Sequence, residues 1–208
     1  MIEIITYVSE SWAMIRPGIW QNRAAYAGKW GLDLTLRTNN VSNGKRFSCP
    51  DPFPGWIFME IMLDRLNQIR DGDWVFRVDG DMLLDNMAID VNNLVGDYDI
   101  GTTFYNKQWQ AGSLLLRNSQ KMRDFLAAVL KQPDDALVQE GLKYYEQGAI
   151  NVLLPNSGLS VWDLGTIFNQ IPARKGTGAL CAHFTWPHSH EPAELFRAMF
   201  GDKMAALP

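Results

Sequence analysis

Trp74-Val75-Phe76-Arg77-Val78-Asp79-Gly80-Asp81 is the stretch on which the fold of this chain turns. Its first five residues are apolar except for Arg77, with no polar face to alternate, the pattern of a central strand covered on both sides. The strand runs straight into two carboxylates separated by one glycine. In an extended chain, residues two apart point to the same side, so Asp79 and Asp81 present oxygens together while Gly80 lets a ligand approach the backbone closely. Hard oxygens suit Mg²⁺ or Mn²⁺, which commonly take one or two carboxylates and complete their shell from substrate phosphates. Asp-Gly-Asp is also ordinary turn chemistry. A plain surface turn fits less well here, because apolar Met82-Leu83-Leu84 follows at once. Arg77 carries a charge within an apolar strand, where isolation is costly, so it should pair with a carboxylate or reach a ligand.

Working outward, Ile2 to Val8 reads as a buried first strand ending at Ser9-Glu10, and a helix from about Pro17 to Trp30 is stopped by Gly31. Residues 32–36 alternate as a second strand. From Asn39 to Gly55 the chain turns to Asn, Ser, Gly, Lys and Pro, which marks a long loop of the kind that often carries function. Helical spacing returns over 56–69. Beyond the acidic pair, 98–103 and 112–116 read as strands, 119–130 and 138–154 as helices, 159–162 as a late strand and 192–207 as a closing helix. This order predicts an α/β fold, a single Rossmann-related domain with a mostly parallel central sheet flanked by helices, and ligands at the strands' carboxyl ends.

Composition agrees with one domain: 208 residues, 47% hydrophobic and 20% charged, are enough to bury a core. No apolar run approaches the roughly 18–20 residues that cross a bilayer, and the start lacks a basic segment followed by a long apolar one, so the expected location is cytoplasmic. With 19 basic against 23 acidic residues, there is no strong nucleic-acid signature. Cys49 and Cys181 stand far apart, which argues against a disulfide framework or a thiolate zinc site. The eight Trp residues serve core packing and could also stack on sugar or nucleobase faces.

Two other acidic motifs fail. An EF-hand loop begun at Asp79 would put Leu83 and Leu84 where an oxygen ligand and a glycine belong. A phosphatase of the haloacid dehalogenase type places DxDGT after its first strand, whereas here Met82-Leu83 follow the second Asp in mid-chain.

The stretch "WVFRVDGDMLL" resembles the DxD strand of the GT-A-type nucleotide-sugar glycosyltransferases, and further segments follow in that family's order. Trp109-Gln110-Ala111-Gly112-Ser113-Leu114-Leu115-Leu116-Arg117-Asn118-Ser119 is similar to the segment that lines the sugar and acceptor side of the cleft. Tyr145-Glu146-Gln147-Gly148-Ala149-Ile150-Asn151 resembles the "DQDAxN" helix start, Ile167-Phe168-Asn169-Gln170 a following strand end, and Cys181-Ala182-His183-Phe184-Thr185-Trp186 the late His-aromatic segment. The resemblance is closest to the retaining members. It implies a single GT-A domain, with residues 1–105 binding the nucleotide sugar and 106–208 closing the metal and acceptor side.

It also implies a metal-dependent hexosyltransferase that moves a sugar from a nucleotide-diphosphate donor, a UDP-sugar first among them, to a glycan, lipid-linked or other hydroxyl acceptor. On the resemblance, Asp79, Asp81 and His183 hold Mn²⁺ or Mg²⁺. The donor meets Tyr7, Ser9, Glu10, Arg77, Asp79, Gly80, Asp81, Gln110, Ala111 and Gly112, and Gln147 and Glu146 stand at the reacting sugar. Gln110 departs from the family's usual Asn, and Gly148 from the second acid of DQD. The basic residue often found on the helix before DxD is missing, which leaves Lys45 or Arg46 in the loop as phosphate contacts.

Bland readings stand beside these. His183, His188 and His190 could form a zinc site of their own or lie solvated in a loop, Tyr7 could be core, and Glu146 could simply favour its helix N-terminus. Trp109 fits an acceptor platform or packing, and Asp99 and Asn106 fit sugar contacts or turn duty. A nucleotidyltransferase of related fold and a catalytically silent nucleotide-sugar-binding module are the alternatives to transfer. The former usually opens with a Gly-rich basic loop after its first strand, where this chain has Ser9-Glu10-Ser11-Trp12-Ala13.

Overall fold

The computed structural model describes residues 1–8, 16–38, 54–131, 145–170 and 178–183. Ser9, Glu10, Lys45, Arg46, His188, His190 and the closing helix expected over 192–207 lie outside the described residues.

The central sheet is built from β1 (Ile2–Tyr7), β2 (Asp33–Arg37), β3 (Trp74–Val78), β5 (Ile100–Thr102), β8 (Ser113–Arg117) and β9 (Val161–Asp163). Their spatial order is β2-β1-β3-β8-β5-β9. β8 alone runs against the rest, pairing antiparallel with both β3 and β5, while the other pairings are parallel. A second, small sheet sets β4 (Met82–Leu84) against β11 (Cys181–His183) and β10 (Asn169–Gln170). A hairpin of β6 (Phe104–Tyr105) and β7 (Gln108–Trp109) turns through Asn106 and Lys107, both in the left-handed region at φ 50° and 64°.

Among the described residues, four helices cover the main sheet: α1 (Arg16–Trp30), α2 (Pro54–Leu66), α3 (Gln120–Val129) and α4 (Tyr145–Leu153). The pleat of β3 and β8 divides the core into two. Val75, Leu114 and Leu116 pack with Trp56, Met59, Met62, Phe125 and Ile150 from α2, α3 and α4. Trp74, Phe76, Val78 and Leu115 face the other way, onto Tyr26 and Ala27 of α1 and onto Met82, Leu84 and Cys181 of the small sheet. A strand buried on both faces therefore ends where helices, small sheet and loops meet, and that end carries Asp79.

Several boundaries differ from the sequence expectation. The helix expected over 56–69 starts earlier, at Pro54, which suits a residue that needs no N–H in a first turn. Of the helix expected over 138–154, the described part is α4, Tyr145–Leu153, and 138–144 lie outside the described residues. The late strand starts at Val161 and runs to Asp163, and the strand expected over 98–103 shortens to 100–102.

Candidate active site

The Asp79-Gly80-Asp81-Met82 segment is a β-turn closed by Met82 N–H donating to the Asp79 carbonyl at 3.1 Å. Asp79 N–H donates to the carbonyl of Gly112 at 2.9 Å, which pins the turn to the start of β8. A Cβ on Gly80 would stand 3.2 Å from the Tyr7 carbonyl, so the close fit of turn to β1 favours glycine there.

The turn brings the two carboxylates beside His183, the last residue of β11. Asp79, Asp81 and His183 each offer a ligand atom, all within 4.8 Å of one another. His183 Nε2 lies 3.5 Å from Asp81 Oδ1. The imidazole rests on the bare Cα of Gly112, where an added Cβ would come within 2.5 Å of the ring. Two hard oxygens and one imidazole nitrogen, pre-assembled from two separate segments, are a donor set suited to Mn²⁺ or Mg²⁺. The donor set leaves room in the ion's shell for phosphate oxygens.

Electrostatics point the same way. Burial pushes the Asp79 carboxyl up to about 7 against the attraction of Arg77, with Asp81 and Glu146 adding repulsion. Burial alone would discharge His183, but Asp81, through its charge and its hydrogen bond, outweighs this and raises the histidine's pKa. The carboxylates thus crowd one another in a spot that a divalent cation would neutralise.

Arg77 answers the question its sequence position raised. Its side chain is 1% exposed and projects on the α2 face of β3. Its Nε and Nη2 both stand 2.8 Å from Asp79 Oδ1, and Nη2 donates to Glu146 Oε1 at 3.0 Å. The guanidinium also lies over the Phe58 ring, 4.5 Å from its centroid. Burial would lower its pKa, but the Asp79 and Glu146 charges outweigh that and raise it.

Glu146 is buried in this pair and lies against Gly55, whose Cβ, if present, would overlap its carboxylate. That carboxylate sits at the opening turn of α2, where free N–H groups favour negative charge. Gln147, next along α4, accepts from Ala111 N–H at 3.1 Å and donates to Gln108 Oε1 at 3.2 Å. Asn151, one turn on, accepts from Trp109 N–H at 2.8 Å and donates to the Trp109 carbonyl at 2.9 Å. α4 thereby acts as a side-chain strand partner to residues 109–111.

The structure brings Arg77, Asp79, Asp81, Ala111, Gly112, Glu146, Gln147 and His183 into one connected cluster. Tyr7 is buried in the core, its ring centroid 6.4 Å from that of Phe58, and it reaches the turn through its carbonyl. Gln110 turns its amide nitrogen to the carbonyls of Tyr105 and Gln108. Trp109 packs edge-on to Phe104 at 4.9 Å. Asp99 accepts from the Ser160 N–H and hydroxyl, and Asn106 makes the hairpin turn.

One set of residues escaped sequence reading. Asn22 and Arg23 of α1 are both buried, and their side chains reach the backbone from Asp79 to Leu84. The signal was there: with Ile19, Tyr26 and Ala27 they complete an i, i+3, i+4, i+7, i+8 stripe, so a polar pair occupied core positions.

No known family model matches the sequence, and no curated protein matches it. Solved structures do match. A glycosyltransferase involved in glycosylation of the major capsid of PBCV-1 is similar with a TM-score of 0.72 at 11% identity, covering 95% of this chain and 98% of that one. The galactosyltransferase LgtC, solved in complex with donor and acceptor sugar analogs, is similar with a TM-score of 0.53 at 15% identity, covering 96% of this chain and 95% of its own. At such identities likeness speaks for the fold, and the fold of this chain is the GT-A glycosyltransferase fold.

Proposed function

We propose that this protein is a metal-dependent glycosyltransferase that moves a sugar from a nucleotide-diphosphate donor, a UDP-sugar in the first instance, to an acceptor hydroxyl with retention of configuration. The observation that carries the reading is the convergence of Asp79, Asp81 and His183 at the end of a buried central strand of this fold. Residues 1–105 are assigned to the donor and 106–208 to the acceptor and to closing the metal site. LgtC, of the same fold, was solved with donor and acceptor sugar analogs, which supports a nucleotide-sugar donor here.

A bound Mn²⁺ or Mg²⁺ would neutralise the diphosphate and stabilise the charge that develops as it leaves. Asp79, Asp81 and His183 would hold it. Arg77 keeps Asp79 Oδ1 occupied and so orients the carboxylate with its other oxygen free. Ser9 and Glu10 are assigned to the nucleoside, and Gly80, Gln110, Ala111 and Gly112 line the donor's path with backbone and small side chains. Gln147, held by Ala111 and Gln108, presents an amide toward the sugar, and Glu146 acts through Arg77. Retention is supported by the carboxylates around the site being engaged already: Asp79 and Asp81 in the metal group, Glu146 with Arg77. With none spare as a general base among the described residues, the leaving phosphate oxygen is the proton acceptor for the incoming hydroxyl.

The test is a panel of nucleotide sugars with and without Mn²⁺, read by thermal shift and by release of free nucleotide. One donor should give a metal-dependent shift and nucleotide release, and Asp81→Ala should lose both while staying folded. Turnover of Asp81→Ala with unchanged metal dependence would refute the site assignment. An inverted anomer in the product, read by NMR, would refute retention and leave transfer standing.

A further inference from the structure

Arg23 is a fully buried arginine outside the metal group, and its hydrogen bonds run to the metal turn or to side chains that hold the backbone beside it. Its Nη2 donates to the Asp79 carbonyl at 3.0 Å and to the Met82 carbonyl at 2.7 Å. Those are the first and last carbonyls of the Asp79–Met82 turn, so one nitrogen bridges both ends of it. Its Nε donates to Thr6 Oγ1 at 3.3 Å, and Thr6 in turn donates to the Val78 carbonyl at 2.9 Å. Its Nη1 donates to Asn22 Oδ1 at 2.5 Å, and Asn22 pairs with both N–H and carbonyl of Leu84 at 3.0 Å. Thr6, Asn22 and Arg23 thus hold the backbone at Val78, Asp79, Met82 and Leu84, on either side of the two aspartates.

We propose that Arg23 is a positioning residue for the metal site, fixing the turn so that the Asp79 and Asp81 carboxylates keep the spacing a divalent cation requires. This rests on the metal-binding reading of that turn given above. Asp79 is then held twice, its carboxylate by Arg77 and its carbonyl by Arg23. A buried arginine whose partners here are neutral oxygens is an expensive way to fill a core. Burial lowers its pKa to about 10, offset in part by Cys181, Asp81 and Asp79, so it stays protonated at neutral pH and keeps every donor. A lysine at this position would keep the charge, but its single nitrogen could not reach the four separate acceptors that the three guanidinium nitrogens meet. Arg23→Lys therefore separates geometry from charge, which matters because removing a nearby positive charge would by itself strengthen cation binding.

The test uses Mn²⁺ alone as probe, titrated against the full chain with free Mn²⁺ read by electron paramagnetic resonance. Amide hydrogen exchange over residues 80–84 is followed in parallel on metal-free protein. Arg23→Lys should weaken Mn²⁺ binding about 10- to 100-fold, the usual effect of losing an outer contact at a metal site, and should speed exchange in the turn. Ile4→Val, in the same core but away from the turn, should lower the melting temperature and leave Mn²⁺ affinity unchanged. Wild-type affinity in folded Arg23→Lys would overturn the proposal, as would loss of affinity in Ile4→Val matching that of Arg23→Lys. Failure of the wild-type chain to take up Mn²⁺ would overturn the metal reading instead. Exchange in the turn then decides whether Arg23 holds it, unchanged rates refuting this. If Arg23→Lys does not fold, Thr6→Val carries the test by removing the Nε acceptor. It should give a several-fold loss of affinity, and unchanged affinity and exchange together would refute the proposal.

Discussion

Gly112 shows how much of this site depends on single atoms. The His183 ring occupies the space a side chain would take, so Gly112→Ala should push the imidazole off its seat and weaken Mn²⁺ binding about tenfold. A titration of Mn²⁺ against the variant, with circular dichroism to confirm the fold, checks this. Asp79, Asp81 and His183 were legible in the sequence, the pair because an apolar strand leading into two acids is hard to explain as a turn, and His183 because of its late segment. Arg77 was legible as a charge needing a partner, and the structure supplies two. Arg23 was not legible as a partner of that turn, because its acceptors are carbonyls, and backbone acceptors leave no trace in side-chain chemistry. Gly112 looked like a donor-facing glycine. In the fold it clears room for a ring 71 positions away in the chain, a relation that no local pattern records.

Among the elements, α4 stands out for side chains that hold another segment's backbone. Asn151 closes both backbone groups of Trp109, so Asn151→Ala leaves a partly buried N–H and carbonyl without partners and should cost about 1–3 kcal/mol. Urea unfolding of the variant measures it, and Gln147, a turn away, should lose its hold on Ala111 as the segment loosens. Strands and helices were largely legible from periodicity, but the direction of β8 was not. Ser113-Leu114-Leu115-Leu116-Arg117 is buried on both faces just as a parallel strand would be, and burial carries no sign of direction. The β6–β7 hairpin was missed because Asn106-Lys107 lacks the glycine that announces such turns, although both residues adopt its left-handed conformation. β4 is too short for any period to register.

At the scale of the molecule, the acidic site should make stability depend on pH in a sense opposite to ordinary acid unfolding. The Asp79 carboxyl is raised from 3.8 to about 7 in the folded chain, so between those values the folded state holds a proton that the unfolded state has lost. Stability therefore falls as pH rises through that window. His183 adds to the trend: its folded pKa is raised above 6.5, so its contribution is full below that value and is lost as pH climbs through the folded one. Metal-free protein should melt at progressively lower temperature as pH rises from about 4 to about 7, with His183 adding to the fall as it loses its proton, and Mn²⁺, which binds the deprotonated ligands, should raise the melting temperature most at the upper end. Differential scanning calorimetry across that range, with chelator and with Mn²⁺, gives both curves. No helix among the described residues is long and apolar enough to cross a membrane.

The site is also assembled unequally. Asp79 and Asp81 follow β3, which is flanked by β1 and β8 over nearly its whole length, whereas His183 ends a three-residue strand in a separate small sheet. Short strands with few ladder bonds open at a small fraction of the cost of global unfolding. Opening of that sheet would carry the imidazole away while the two carboxylates kept their places, so release of a bound ion need not proceed in one step. The protein would pass through a two-ligand state, and the rate at which metal exchanges would report the breathing of β11 rather than the stability of the core.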